Sequence, residues 1–173
     1  MRYKIITYIL FLLFALGIIG IASIVSAQAR PGSTYTAHVV RIIDGDTIHV
    51  RDITGETHRI RLAMIDAPER EQPFGTKSTK KLSELLRQGT VRLKVKCIDK
   101  YNREVAFVYC EGKDVSTEML KEGMALHYHM NFDKCEMYDK FEAAAKHCRQ
   151  GLWSQEKIEK PWDFRRKHRK ENE

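Results

Sequence analysis

Apolar residues alternate with polar ones in five short stretches of this chain and recur every third or fourth position in three others. Thr34–Ile43, Thr47–Asp52 and Thr57–Ile65 are rich in β-branched residues, and Asp44-Gly45 and Thr54-Gly55 between them are turn dipeptides that fold one strand back on the next. Val91, Leu93, Val95 and Cys97 alternate strictly with Arg92, Lys94 and Lys96, which predicts a fourth strand with one apolar and one cationic face. A turn over 99–102 leads into Val105–Tyr109 as the fifth. Between the third and fourth strands, Lys77 to Arg87 sets Leu82, Leu85 and Leu86 on one helical face, and Gly89 stops the helix. Val115–Lys121 predicts a short helix closed by Gly123. Residues 132–149 predict a longer one that turns Phe141, Ala144, Ala145 and Cys148 inward and ends at Gly151.

The two ends of the chain break this pattern. Arg2 and Lys4 precede an uncharged run from Ile5 to Val25, and Ala27-Gln28-Ala29 has the small-x-small form of a cleavage site. Residues 1–29 therefore read as a signal peptide or, because the run reaches bilayer-spanning length, as an uncleaved membrane anchor. Both alternatives send the domain out of the cytoplasm, secreted or periplasmic after cleavage near Ala29, or tethered through residues 5–25. The folded domain is expected over residues 30–153. Residues 154–173 are charged, end in Arg165-Arg166-Lys167-His168-Arg169-Lys170, and read as a solvated basic tail or as an arm that contacts phosphates, with Trp162 able to dock on the domain in either case. The whole chain carries a formal charge of +7. A modest positive excess suits a polyanionic partner without requiring one.

Four cysteines, Cys97, Cys110, Cys135 and Cys148, follow the leader. In an exported chain an even number favours disulfides. Cys97 and Cys110 lie too far apart along one hairpin, and Cys135 and Cys148 are about 20 Å apart along one helix. A crossed arrangement, Cys97 with Cys135 and Cys110 with Cys148, is the expected oxidised pairing; buried free thiols are the alternative. No two cysteines have the spacing of a zinc finger.

The chemistry concentrates in two acidic motifs and two arginines. Asp44-Gly45-Asp46-Thr47 interrupts the first hairpin, and Arg61-Leu62-Ala63-Met64-Ile65-Asp66-Ala67-Pro68-Glu69 follows about one strand-pair later. Pro68 cannot donate to a ladder, so Asp66 and Glu69 leave the sheet at a strand end. Asp99-Lys100-Tyr101-Asn102-Arg103 brings a second arginine on a hairpin turn. Carboxylates to hold a hard cation, another to activate water and two arginines to clamp an anion together suit phosphodiester hydrolysis. Each residue also has a plain structural use. Asp44 can simply cap a turn, Asp66 can cap one, and Arg103 can anchor Asp99. His127-Tyr128-His129 is not read as a metal pair, on the expectation that the extended segment turns the two imidazoles apart. His38, His49, His58, His147 and His168 read as surface or half-buried positions.

In this order the motifs resemble the thermonuclease (staphylococcal nuclease-like) family. Ile43-Asp44-Gly45-Asp46-Thr47, Arg61 with Asp66-x-Pro68-Glu69, Asp99-Lys100-Tyr101-x-Arg103, Gly123-Met124-Ala125 and Gly151-Leu152-Trp153 span roughly Tyr35 to Trp153. Five strands with a helix after the third resemble the OB-fold barrel, which binds oligonucleotides across one face. The implied fold is α+β, mainly β, a five-stranded OB-fold barrel with about three helices. The resemblance implies a calcium-dependent endonuclease acting on DNA and RNA with little sequence specificity, leaving 3′-phosphate ends. It implies Ca2+ on Asp46, Asp66 and the carbonyl of Ala67, with Glu69 as base and Arg61 and Arg103 on the phosphate. Ala67 departs from the threonine of the best-known member, so a hydroxyl contact is lost while a carbonyl ligand is kept. Lys100, Tyr101 and Tyr128 are candidate substrate contacts. No protein partner is implied, and a monomer is expected. The alternatives are a nucleic-acid-binding OB-fold module whose catalysis has lapsed, and a membrane-anchored surface interaction protein.

Overall fold

The computed structural model describes residues 31–130 and 135–171. The reading of residues 1–29 as signal peptide or anchor lies outside the described residues. No helix among the described residues is long and apolar enough to cross a membrane.

The first three expected strands are β1 (Thr34–Ile42), β2 (Thr47–Asp52) and β3 (Thr57–Leu62), paired antiparallel in sequence. Next come β4 (Ile65–Asp66), helix α1 (Gly75–Leu85), β5 (Thr90–Ile98), β6 (Glu104–Cys110), β7 (Lys113–Asp114), α2 (Val115–Lys121) and β8 (Leu126–His127). Helix α3 (Cys135–His147), a 3-10 turn at Gly151–Ser154 and helix α4 (Pro161–Glu171) complete the described chain. β1 also pairs with β5, and β5 with β6. Parallel pairing of β3 with β6, Arg61 opposite Val105, closes the ring. Among the described residues the result is a closed five-stranded mixed barrel of the OB type with four helices around it. Closure removes the unpaired edges that an open sheet of this size would expose.

The period-2 pattern explains the interior. Ile48 and Val50 on β2, Ile60 and Leu62 on β3, Leu93 and Val95 on β5, and Ala106 and Val108 on β6 are fully buried. Leu82 of α1 and Met119 and Leu120 of α2 are buried in the same cluster. Irregularities between Val39 and Arg41 and between Val95 and Cys97 shift the register of β1 and β5, as strands bent into a small barrel require.

Three expectations need correction. The third strand stops at Leu62, because Met64 takes φ 70°, a left-handed conformation that breaks a ladder. Ile65–Asp66 restarts as β4 against β8 and so aims Asp66 independently of β3. On α3 the inward residues are Tyr138 and Ala145, with Phe141 half-buried, whereas Ala144 and Cys148 are exposed. The helix ends at His147, so Cys148 lies past its last turn. The expected disulfides do not form. Cys97, Cys110 and Cys148 are all free. Cys110 is buried in the core with Sγ 3.7 Å from the Thr90 carbonyl, while Cys148 faces solvent, so the two cannot meet. Burial raises the Cys97 and Cys110 thiols above their ordinary range.

Candidate active site

The Asp44–Thr47 loop is built by Asp44. Its Oδ1 accepts the Asp46 N–H at 2.9 Å and the Thr47 N–H at 2.7 Å, a side-chain-capped turn. Gly45 is required by close packing. A Cβ there would meet Ser78 Oγ of α1 at 2.0 Å and the Ala67 Cβ at 2.6 Å. With the turn fixed, the buried Asp46 carboxylate accepts the Thr47 hydroxyl at 3.0 Å and the Ala67 N–H at 2.9 Å. The Ala67 backbone thus lies directly beside Asp46. Burial, and then the charge of Asp46, pushes the Asp44 carboxyl up to about 6.

Arg61 on β3 is buried and forms ion pairs with both Asp46 and Asp66, the latter at 2.8 Å. Asp66 is fully buried. Burial pushes its carboxyl above the usual range, although Arg165 and Arg61 pull it down. Glu69 stands at the mouth of the same corner on a tight loop. Its N–H donates to the Gln72 side chain at 2.9 Å and its carbonyl accepts the Gln72 N–H at 3.0 Å. Gly75 presses on this loop; a Cβ there would come 1.9 Å from the Glu69 carbonyl oxygen.

Across the groove, Asp99 organises the β5–β6 turn. Its Oδ1 accepts the Tyr101 and Arg103 N–H groups at 2.9 Å, and its Oδ2 accepts Arg103 Nε at 2.8 Å. The structural use foreseen for Arg103 is therefore real. It also leaves the outer edge of the guanidinium directed at the acidic loop, with one Nη 3.4 Å from the Thr47 hydroxyl. Asp46, Arg61, Asp66, Glu69, Lys100, Tyr101, Arg103 and Tyr128 all line one groove of about 670 Å³.

Sequence reasoning missed several neighbours. Arg59, which no motif singles out, lies two positions from Arg61 on the same face of β3 and lines the groove. Residues Pro161–Glu171 form α4 rather than a solvated tail. Trp162 does dock, as the sequence allowed, packing on Tyr128 with ring centroids 5.9 Å apart, and the Gln72 amide donates to the Glu159 carbonyl at 3.0 Å. Arg165 reaches Asp66 at 2.6 Å and 3.2 Å and Glu69 at 2.7 Å. Pro161 at the first helical position was the available signal for this helix.

The histidines also differ from expectation. His127 and His129 have ring centroids 4.2 Å apart, and both reach Asp139, at 2.8 Å and 3.2 Å. Residues two apart on an extended segment share a face. His127 Nε2 is buried without a partner among the described residues. His58 is not a surface residue but is buried between Glu104, 2.7 Å, and Asp52, 3.2 Å.

A family model described as staphylococcal nuclease homologue matches residues 59–155. The chain belongs to this family. The matched stretch takes in Arg61, Asp66, Glu69 and Arg103; Asp46 precedes it and α4 follows it. An uncharacterized endonuclease of Haemophilus influenzae is 39% identical over 135 residues, covering 78% of this chain and 75% of that protein. The micrococcal nuclease of Shigella flexneri is 36% identical over 143 residues, covering 76% and 81%. An uncharacterized 38.1 kDa protein of Capnoides sempervirens is 37% identical over 118 residues, 68% of this chain but 35% of its own length, so the chain spans about a third of that plant relative. Nucleases of the staphylococcal nuclease family depend in general on a metal. The donor set of this staphylococcal nuclease homologue fits a hard cation: carboxylate oxygens of Asp46 and Asp66, with Asp44 in the same groove, where burial and then the charge of Asp46 hold its carboxyl up.

Proposed function

We propose that this protein is a calcium-dependent endonuclease that hydrolyses DNA and RNA phosphodiesters with little sequence preference and leaves 3′-phosphate ends. The observation that carries the reading is convergence. Acids from the β1–β2 loop and β4, a carboxylate from the loop after β4, and arginines from β3 and the β5–β6 turn meet in one groove. A barrel needing them only for stability would not gather them at one open mouth.

In this reading Asp46, Asp66 and the carbonyl of Ala67 hold the ion, which when bound supplies Lewis-acid polarisation of the phosphate. Glu69, at the solvent-facing rim, orients water and takes its proton. Arg61 holds Asp46 and Asp66 as a pair, and with Arg103 gives the groove two guanidiniums for charge developing on the phosphoryl oxygens. Lys100, Tyr101 and Tyr128 line the same groove and would meet neighbouring nucleotides. We further propose that the protein works as a monomer outside the cytoplasm, freed by cleavage near Ala29 or tethered through residues 5–25.

The test is plasmid and RNA degradation with calcium, with excess chelator and with calcium restored, run beside Glu69→Gln. The expected result is loss in chelator, recovery on restoration, and a fall of about 10²-fold or more in turnover for the variant with substrate affinity kept. Undiminished cleavage in chelator refutes the metal mechanism. Binding without cleavage by the parent protein points instead to a lapsed nucleic-acid-binding module.

A further inference from the structure

Arg165 engages the two carboxylates that the proposed reaction most depends on. One Nη sits 2.6 Å from Asp66 Oδ2, and the other sits 3.2 Å from Asp66 Oδ1 and 2.7 Å from Glu69 Oε1. Both oxygens of the proposed ligand and one oxygen of the proposed base therefore already face a cation that the chain itself supplies. Arg61 adds a second donor to Asp66 Oδ1.

We propose that Arg165 and the divalent cation compete for Asp66 and Glu69, so that α4 is a self-inhibiting cover over the metal site. The inference rests on the reading of Asp66 as a ligand. A hard cation needs several oxygens at 2.3–2.6 Å and draws them by charge, and a guanidinium draws the same oxygens by charge and by its planar fork. Two like-signed centres sharing one buried carboxylate repel, and burial screens them little. Steric occupancy and electrostatics therefore push in the same direction.

Outside the Arg165 contacts, α4 is fastened by Trp162 against Tyr128, by the Gln72–Glu159 hydrogen bond and by the buried Pro161. The Arg165 side chain is 41% exposed, so water competes for its bonds. Arg166 and Arg169 line the same groove. Phosphates entering it offer these side chains and Arg165 alternative anions, which couples release of Asp66 to arrival of substrate.

The experiment is calorimetric titration of calcium chloride alone, without nucleic acid, into the full-length chain and its Arg165→Ala, Arg165→Lys and Trp162→Ala variants, each first checked for a cooperative melt. Arg165→Ala is expected to bind calcium at least tenfold more tightly than the parent. Arg165→Lys, which keeps the charge and loses the fork, should fall between them. Trp162→Ala, which loosens the helix with Arg165 intact, should also bind more tightly. Unchanged or weaker calcium binding in Arg165→Ala overturns the competition. If that variant does not fold, the same result in the other two overturns it. Absence of calcium binding in every protein, parent included, removes the metal reading and the competition with it. Tighter binding in Arg165→Ala without phosphodiester cleavage would leave the competition standing and overturn the proposed function.

Discussion

Replacing Arg61 and Arg103 separately with lysine distinguishes a guanidinium that clamps phosphate from one that holds the barrel together, and the two positions should answer differently. The Arg61 side chain is only 8% exposed and spans two carboxylates that are themselves 8% and 0% exposed. Lysine keeps one charge on a single head, so one of the two buried acids loses its Arg61 bond and keeps only its other donors, Arg165 for Asp66 or the Ala67 N–H and Thr47 hydroxyl for Asp46. A hydrogen bond to a charged group contributes about 1.5–3 kcal/mol, and breaking a buried pair outright costs about 3–5 kcal/mol. Arg61→Lys should therefore destabilise by about 2–3 kcal/mol, or roughly 6–12 °C in Tm for a domain of this size. Arg103 is anchored to Asp99 through Nε at 2.8 Å with both side chains partly exposed, so Arg103→Lys should cost about 1 kcal/mol or less. Both variants should lose about 10²-fold or more in turnover at calcium saturation, since removing one transition-state donor costs roughly 3–4 kcal/mol. The assay pairs a melting curve with steady-state rates measured well below each variant's Tm. Arg103→Lys with normal turnover would remove Arg103 from the site. A large Tm loss for Arg61→Lys with full activity in the folded fraction would reduce Arg61 to a structural tie.

Two further outcomes follow from groups away from the groove. Burial opposes protonation of His58, but its bonds to Asp52 and Glu104 outweigh it and raise the imidazole above its ordinary value. Stability from this group is therefore complete below about pH 6.5, the value for an unfolded histidine, and is lost as pH rises through the folded value; melting curves from pH 5 to 9 should show that decline, and a His58→Gln variant that shows it equally would refute the assignment. Cys97, Cys110 and Cys148 are free, so thiol labelling without reductant should modify exposed Cys148 first and buried Cys110 only on unfolding; a Cys110–Cys148 disulfide in non-reducing peptide maps would contradict the fold of α3.

Much of this protein is fixed locally and can be read from the chain. Alternation in Val91–Cys97, the β-branched runs before it and Val105–Tyr109 after it place five strands, because a half-buried sheet face imposes period 2 on whichever residues form it. Asp44-Gly45-Asp46 and Asp99 to Arg103 specify their own turns, since each leading aspartate caps backbone amides two to four residues ahead. The β2–β3 hairpin sets Thr47 opposite Arg61 and so brings Asp46 to it, a local pairing; Asp66 is placed by β4 on β8 and Arg103 by the parallel pairing of β3 with β6, which no local signal encodes, so the full meeting was legible only through motif order. Tertiary structure alone decided the rest. Met64 takes a left-handed φ that ends β3, and Ile65–Asp66 then pairs with β8; His58 is buried because barrel closure brings Glu104 across to it. The basic C-terminal segment has the composition of a solvated tail, and its helix docks because Trp162 finds Tyr128 and Arg165 finds two carboxylates about a hundred residues earlier in the chain. Charge composition measures what a segment costs to bury; only the folded surface supplies the opposite charges that make burial favourable.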